Sequence, residues 1–327
     1  MPLRIGQEVQ ALPRSGRLSE AGFSAELPRA EALVRLTERY RRSELDEPRR
    51  EARLTLCAAA GLSPAALISA PEAPLGAAAV RLEDFAARRA SGEPLSRIMG
   101  RREFWGLTLA ISPEVLDPRP ETETIVEAAV ALLADRRRDQ LRFLDLGVGS
   151  GAILCALLHE FVNAHGLGVD VSASAADMAR RNIDVCGLAR RAEIRVGAWT
   201  DGVDGPFDLI VSNPPYVPSG DIEGLSRAVR HFDPRLALDG GIDGLDAYRL
   251  ILPAAAPLLA QGGAILVEVG DGQAGDVLDI AAKAGFVDRS TRRDLAGRER
   301  VVAARSPRAA AFGPTCGHSD HEGHVRP

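Results

Sequence analysis

The chain contains a single lysine, Lys283, among its 40 basic residues. Arginine carries nearly all the positive charge, which reads as a coding bias; selection of Arg for bidentate contacts is the other explanation open. There is no basic excess: 45 acidic residues leave a net charge of -5 and a pI of about 5.8. Tight duplex binding usually leaves a basic domain, so the balance argues against that class while leaving room for local basic patches. Cysteines are few. Cys57, Cys155, Cys186 and Cys316 lack the paired spacing of a disulfide framework or zinc site, and the first three lie in apolar helical patterns that suit free thiols in a reducing compartment. No apolar run approaches the ~20 residues that span a bilayer. The amino terminus has no hydrophobic core behind its arginines, so no secretory signal is expected and the cytoplasm is the default location.

What is present suits a soluble two-domain protein: 327 residues, 46% hydrophobic and 26% charged. Residues 1–29 are mixed and rich in Pro, Gly, Ser and Arg, and are expected to form a loose arm. From residue 30 to 100 the apolar spacing is helical, broken by Pro48, Pro64, Pro71 and Pro74 into short helices. Residues 101–123 read as a β-rich linker in which Pro118 and Pro120 stiffen the entry to the next helix. From 124 to 305 strands and helices alternate, which implies an α/β fold with a mostly parallel sheet covered on both faces. Residues 306–327 are expected to be a loose tail. Its Cys316, His318, His321 and His324 are close enough to bind a divalent metal, but incidental histidines are the expectation there. No metal-ligating set stands out in the alternating region.

Two stretches of the alternating region carry chemistry. Phe143 to Leu146 is a short apolar run that passes into Gly147-Val148-Gly149-Ser150-Gly151 and then an apolar helix pattern. Glycines let a loop backbone approach a ligand, and the helix start offers unpaired N–H groups. The Gly-x-Gly-x-Gly spacing differs from the Gly-x-Gly-x-x-Gly dinucleotide fingerprint and favours a nucleoside without pyrophosphate. Downstream, Gly166 to Asp170 reads as a second strand ending in an acid placed to accept ribose hydroxyls. Loop and acid together give the arrangement used for S-adenosylmethionine. The second stretch, Asn213-Pro214-Pro215-Tyr216, ends the apolar run Phe207 to Ser212. A planar NH2 group is a poor nucleophile because its lone pair is delocalised. The Asn213 side-chain oxygen and the Pro214 carbonyl can each accept one N–H from such a group, and Tyr216 offers a flat wall beside it. The tetrapeptide alone is also compatible with a Pro-Pro turn capped by Asn; in this order with the glycine loop and the acid, it points to methylation of an amide or amino nitrogen.

The chain resembles the release factor glutamine methyltransferases, which modify the glutamine of the Gly-Gly-Gln motif in class 1 peptide-chain release factors. The likeness includes Gly92-Glu93-Pro94-Leu95, Glu103-Phe104-Trp105-Gly106, Val115 to Glu123 around Pro118-Arg119-Pro120, Asp233-Pro234, Gly241-Ile242-Asp243-Gly244-Leu245, Glu268-Val269-Gly270 with Gln273, and Asp294 to Gly297. It implies a Rossmann-like class I methyltransferase sheet, with a helical domain at 30–100 as platform for the release factor. It further implies that Gly147 to Gly151 hold the methionine end of S-adenosylmethionine, Asp170 the ribose and Trp199 the adenine, while Asn213, Pro214, Pro215 and Tyr216 take the glutamine. Ala198 stands where the family usually has an acid that bonds the adenine amino group, and Asp117 replaces an apolar residue.

Other residues invite roles. Residues 218–244 form a long segment expected over the substrate nitrogen. His231 within it could be taken for a general base, but a held nitrogen can lose its proton to water. Arg119, Glu121 and Glu123 read as an interdomain ion-pair and helix-start cluster. The expectation is therefore a monomeric, cytoplasmic S-adenosylmethionine-dependent protein-glutamine methyltransferase with no metal, membrane or stable nucleic-acid partner. Its rivals are an adenine- or cytosine-modifying enzyme and a binding module that retains only the cofactor.

Overall fold

The computed structural model describes residues 22–307, and the chain divides into two units between Gly100 and Arg101. The tail residues Cys316, His318, His321 and His324 lie outside the described residues. No helix among them is long and apolar enough to cross a membrane.

The first unit is helical: α1 (Arg29–Arg42), α2 (Pro48–Ala60), α3 (Pro64–Ser69), α4 (Ala78–Ala90) and α5 (Leu95–Met99). Its prolines sit where helices tolerate them. Pro48 and Pro64 occupy first turns, where the missing N–H has no intrahelical acceptor anyway. Ser63 caps α3 by accepting the Ala66 N–H, and Gly61 ends α2 at φ 65°. Ala32, Leu36 and Tyr40 recur every fourth residue along α1 and meet Leu56, Ala59, Leu82 and Ala86 in a closed core. The Tyr40 hydroxyl, buried with them, donates to Thr55 Oγ1 at 3.0 Å. The expected arm is described only from Gly22; Leu27 is buried in this core and its carbonyl accepts the Leu75 N–H at 3.0 Å. Its apolar side chain outweighs the Pro- and Ser-rich composition around it, and the packed chain begins ahead of residue 30.

The second unit opens with a hairpin, β1 (Arg101–Phe104) and β2 (Leu107–Ala110), followed by α6 (Glu123–Leu132). Then come β3 (Arg142–Leu146), α7 (Ala152–Glu160), β4 (His165–Asp170), α8 (Ala173–Val185), β5 (Ala192–Val196), β6 (Phe207–Ser212), α9 (Arg227–Phe232) and α10 (Asp246–Ala255). The chain closes with β7 (Leu259–Glu268), α11 (Ala274–Lys283), β8 (Val287–Arg293) and β9 (Glu299–Arg305). Seven strands form one sheet in the order β5-β4-β3-β6-β7-β9-β8, parallel except for β9, which runs antiparallel to β7 and β8. The class I methyltransferase architecture expected from the sequence is thus present. Residues alternate between two layers: Phe143, Leu209, Val211 and Leu266 pack with α6, α7 and α8, whereas Leu144, Leu146, Ile210, Ile265 and Val267 pack with α10 and α11. Burial on both sides explains why apolar residues of β3 and β6 point to both faces, with Asp145 and Asp208 as the exceptions.

The chain winds from β3 outward to β5, then restarts at β6 on the other side of β3. Strand order therefore reverses between β3 and β6, and such a switch leaves a crevice beyond the carboxyl ends of the strands. Phe143 lies at the centre of the sheet, edge-on to Phe161 with ring centroids 5.3 Å apart. Replacing Phe143 by Ala should cost about 3–5 kcal/mol, read as a lower urea midpoint for loss of the sheet's far-ultraviolet signal.

Candidate functional site

Strand register places the chemistry-bearing residues in one row. Leu146 pairs with Val169 on one side and Ser212 on the other, and Ser212 pairs with Val267. The next residue of each strand therefore falls on the same rim: Gly147, Asp170, Asn213 and Glu268. The Ser212 hydroxyl donates to the Leu146 carbonyl at 2.6 Å and ties two of these ends together beneath the switch point.

The glycine loop turns over the end of β3. The Gly147 and Val148 N–H groups donate to the Val169 carbonyl, and Gly151 N–H closes the turn on Val148. Gly147, Gly149 and Gly151 all have positive φ. The loop is braced from below by Asn182, fully buried, whose Nδ2 donates to the Ser150 carbonyl at 2.8 Å while its Oδ1 accepts the Ala110 N–H. Asp170 accepts Gly149 N–H on Oδ2 and Ser172 N–H on Oδ1, both at 2.9 Å. Each oxygen retains a lone pair for a further donor. Trp199, at φ 48°, leans its ring over the loop, where a methyl group on Gly147 would lie 3.6 Å from it.

Asp145 is fully buried beneath this loop, and neither carboxylate oxygen makes a well-formed hydrogen bond. Burial pushes its pKa up to about 7; the Leu154 backbone offsets part of that push and the Asp170 charge adds to it.

On the other side of the switch point, Asn213 donates from Nδ2 to Thr122 Oγ1 at 3.2 Å. That bond turns Oδ1, the acceptor atom, the opposite way. Pro214 is buried, with no N–H of its own. The Tyr216 hydroxyl donates to Glu268 Oε1 at 3.3 Å, and its backbone carbonyl accepts Gln273 Nε2 at 2.9 Å. Burial raises the Tyr216 phenol well above its usual range, with the Glu268 charge adding to the rise. Glu268 is itself 1% exposed and burial pushes it up to about 7.

The segment 218–244, expected as one long loop, is folded back on this wall and contains α9. Val217 N–H donates to the Leu238 carbonyl and Gly240 N–H to the Val217 carbonyl, both at 2.9 Å. Gly244 has φ +75°, and a Cβ there would collide with the Tyr216 carbonyl and approach Gln273 Nε2 to 2.5 Å. His231 is exposed on α9 with Arg230 3.3 Å away. Arg119 pairs with the buried Asp233 inside this unit, which replaces the interdomain ion pair expected for it. Glu123, at the first position of α6, accepts the Trp105 N–H at 2.8 Å. Sequence reasoning assigned no part to Thr122, Asp145, Asn182 or Gln273. An acid inside an apolar run was the visible signal for Asp145; Thr122 and Gln273 stood within the stretches that carry the family likeness, while Asn182 depends on tertiary contacts alone.

A family model described as the PrmC N-terminal domain matches residues 31–100, and one for the methyltransferase small domain matches 123–232. The release factor glutamine methyltransferase of Bradyrhizobium diazoefficiens is 48% identical over 83% of this chain and 92% of its own length. That of Rhodospirillum rubrum is 47% identical over 83% of this chain and 82% of its own. The chain belongs to the release factor glutamine methyltransferase family. Among solved structures, the hMettl16 catalytic domain in complex with a MAT2A 3'UTR hairpin superposes with a TM-score of 0.51 at 17% identity, over 67% of this chain and 81% of that one, a likeness of fold alone. Gly244 in the Asp243-Gly244-Leu245 segment is explained by its surroundings, since only glycine fits against the Tyr216 backbone.

Two outcomes follow from this geometry. An acid with a raised folded-state pKa stabilises below that value, so the Asp145 contribution is present near its ordinary carboxylate pKa and is lost as pH rises through about 7. Asp145→Asn should therefore gain thermal stability relative to the parent as pH is raised from about 5 to 8, by up to about 1.4 kcal/mol per pH unit, in paired calorimetric melts. Gly244→Ala should displace Tyr216 and lower kcat by about 100-fold in a methyl-transfer assay, with the far-ultraviolet spectrum unchanged.

Proposed function

We propose that this protein transfers a methyl group from S-adenosylmethionine to the side-chain amide nitrogen of the glutamine in the Gly-Gly-Gln motif of class 1 release factors. The observation that carries the reading is the shared rim of Asp170, Gly147 and Asn213, in a chain 48% identical to a release factor glutamine methyltransferase. The residues fit such a cofactor. Side chains are absent where the loop would meet it, Trp199 supplies a flat apolar surface beside Gly147, and each Asp170 oxygen has a lone pair left for a ribose hydroxyl. Asp145, buried without a well-formed partner, suits a ligand that brings positive charge. Ala198 is exposed beside Trp199 and offers no carboxylate for the adenine, which leaves stacking on the indole as the main contact with the base.

S-adenosylmethionine supplies an electrophilic methyl group on a sulfonium. The protein's part is to hold and aim the nitrogen. Asn213 Oδ1 and the Pro214 carbonyl accept its two N–H groups, leaving the lone pair directed at the methyl and favouring the positive charge that grows on nitrogen. Tyr216 presents its ring to the planar amide. In-line geometry converts binding into rate, and the nitrogen's proton passes to water after transfer. His231 is solvent-exposed and takes no part in this scheme. Release-factor recognition is assigned to the helical unit, with the enzyme acting as a cytoplasmic monomer. The amino-group nucleic-acid reading is not favoured: the relatives similar over most of the chain are release factor enzymes, and hMettl16 shares the fold only.

Incubation of a class 1 release factor with the protein and S-adenosylmethionine should add one methyl, 14 mass units by its formula and localised by tandem mass spectrometry to the Gly-Gly-Gln glutamine. Asn213→Ala should reduce that rate by about 100-fold or more while cofactor binding by calorimetry persists. Methyl transfer to a duplex or an RNA hairpin in place of the release factor would overturn the assignment.

A further inference from the structure

Behind the Asn-Pro-Pro-Tyr wall lies a buried polar chain that the proposed chemistry does not use. Glu268 stands at the end of β7, next to Asn213 in the register of the sheet. Its Oε1 accepts the Tyr216 hydroxyl at 3.3 Å. Its Oε2 has no well-formed hydrogen bond, although the Thr122 hydroxyl faces the carboxylate closely enough to favour the charged form. Thr122 Oγ1 in turn accepts Asn213 Nδ2 at 3.2 Å. A hydroxyl that accepts from an amide keeps its own proton to donate, and an ionised carboxylate can only accept. Asn213 thus donates to Thr122 and Tyr216 donates to Glu268, and the Thr122 hydroxyl proton is left free to turn toward the carboxylate it faces. A carboxylate nearly devoid of solvent contact is costly unless hydroxyls or cations compensate it, and here the compensation comes from the residues that aim the substrate nitrogen.

We propose that Glu268 is a positioning residue for methyl transfer: its carboxylate, through the Thr122 hydroxyl and the Tyr216 phenol, holds the Asn213 amide with Oδ1 toward the substrate and the Tyr216 ring in place. It touches neither substrate nor cofactor. The kinetic half of this proposal rests on the release-factor reading above, whereas the geometric half does not.

Protonation of Glu268 undoes the arrangement, because a neutral carboxyl donates as well as accepts and no longer requires the Thr122 proton. Burial pushes that protonation up to about 7, against the Thr122 and Tyr216 hydroxyls and the Arg300 charge, which favour the anion, and with Glu121, which opposes it. The Arg119 charge acts on the neighbouring Tyr216 phenol, and the Tyr248 hydroxyl donates to the Glu268 backbone carbonyl at 2.7 Å. With a folded value above the ordinary one, the ionised, organised form prevails above neutrality and is lost as pH falls through about 7.

The deciding experiment compares the full chain with Glu268→Gln and Thr122→Val, both nearly isosteric, and with Thr122→Ser as the conservative control. The Asn213 side-chain NH2 signals, assigned by their loss in Asn213→Ala, should titrate with a midpoint near neutrality in the wild-type protein, read by nitrogen-15 NMR without substrate. That titration should be absent in Glu268→Gln and kept in Thr122→Ser. With release factor as substrate, Glu268→Gln and Thr122→Val should each lower kcat by about 10- to 100-fold, with KM changed less than about 3-fold, and the acid limb of the wild-type kcat profile should vanish in Glu268→Gln. An Asn213 signal that ignores pH, or one that titrates identically in Glu268→Gln, overturns the positioning role, as does a wild-type kcat in that variant. A wild-type protein that leaves the release factor unmethylated while its Asn213 signal still titrates would sink the substrate reading and uphold the geometry.

Discussion

The site depends on one alignment: four adjacent parallel strands end at the same level. Because Leu146, Val169, Ser212 and Val267 are in register, whatever follows them is set side by side at strand spacing, ~4.8 Å per neighbour. The glycine loop, Asp170, Asn213 and Glu268 are those followers. Buried apolar packing on both faces enforces the register, since a one-residue slip would exchange the two layers of side chains. The same packing that stabilises the sheet thus sets these residues side by side.

The rim also concentrates electrostatic cost. Asp145 and Glu268 are both buried and both pushed up to about 7, one beneath the loop and one behind the wall. Neither is at the surface, where the many arginine–carboxylate pairs of this chain are screened and worth ~0–1 kcal/mol each. A fold that needed only stability would replace these acids by apolar residues at little loss. Their presence at the strand ends is consistent with the trade between stability and function seen where charge must be held for a ligand or a neighbouring side chain. Asn182 shows the complementary solution: it is buried, yet its amide is matched on both oxygen and nitrogen, and it braces the loop without an unpaired atom.

Contacts around Tyr216 explain why several inconspicuous residues occur where they do. Gly244 leaves room for the Tyr216 backbone, Gln273 ties Tyr216 and Gly270 together, and Arg119 reaches the buried Asp233 of the segment folded behind the motif. Residues 244, 268 and 273, all remote from the motif in the chain, meet at Tyr216, while Arg119 and Asp233 pair with each other. Each unit is matched by its own family model, the helical one by the PrmC N-terminal domain and the other by the methyltransferase small domain.

Much of this was readable before any coordinates. Alternating strand and helix patterns, the glycine loop, the acid after the second strand and Asn213 to Tyr216 are local signals, because glycine conformations, proline geometry and hydrophobic period are properties of short stretches of chain. They determined the fold class, the class of chemistry and the candidate residues. The helix at α9 inside 218–244, the packing of Leu27 and the pairing of Arg119 were not readable, since each is settled by a partner distant in sequence. Nor was the chain from Asn213 through Thr122 to Glu268. Which donors and acceptors meet depends on the folded interior, and only the assembled sheet brings a linker threonine, a loop asparagine and a strand-end glutamate close together.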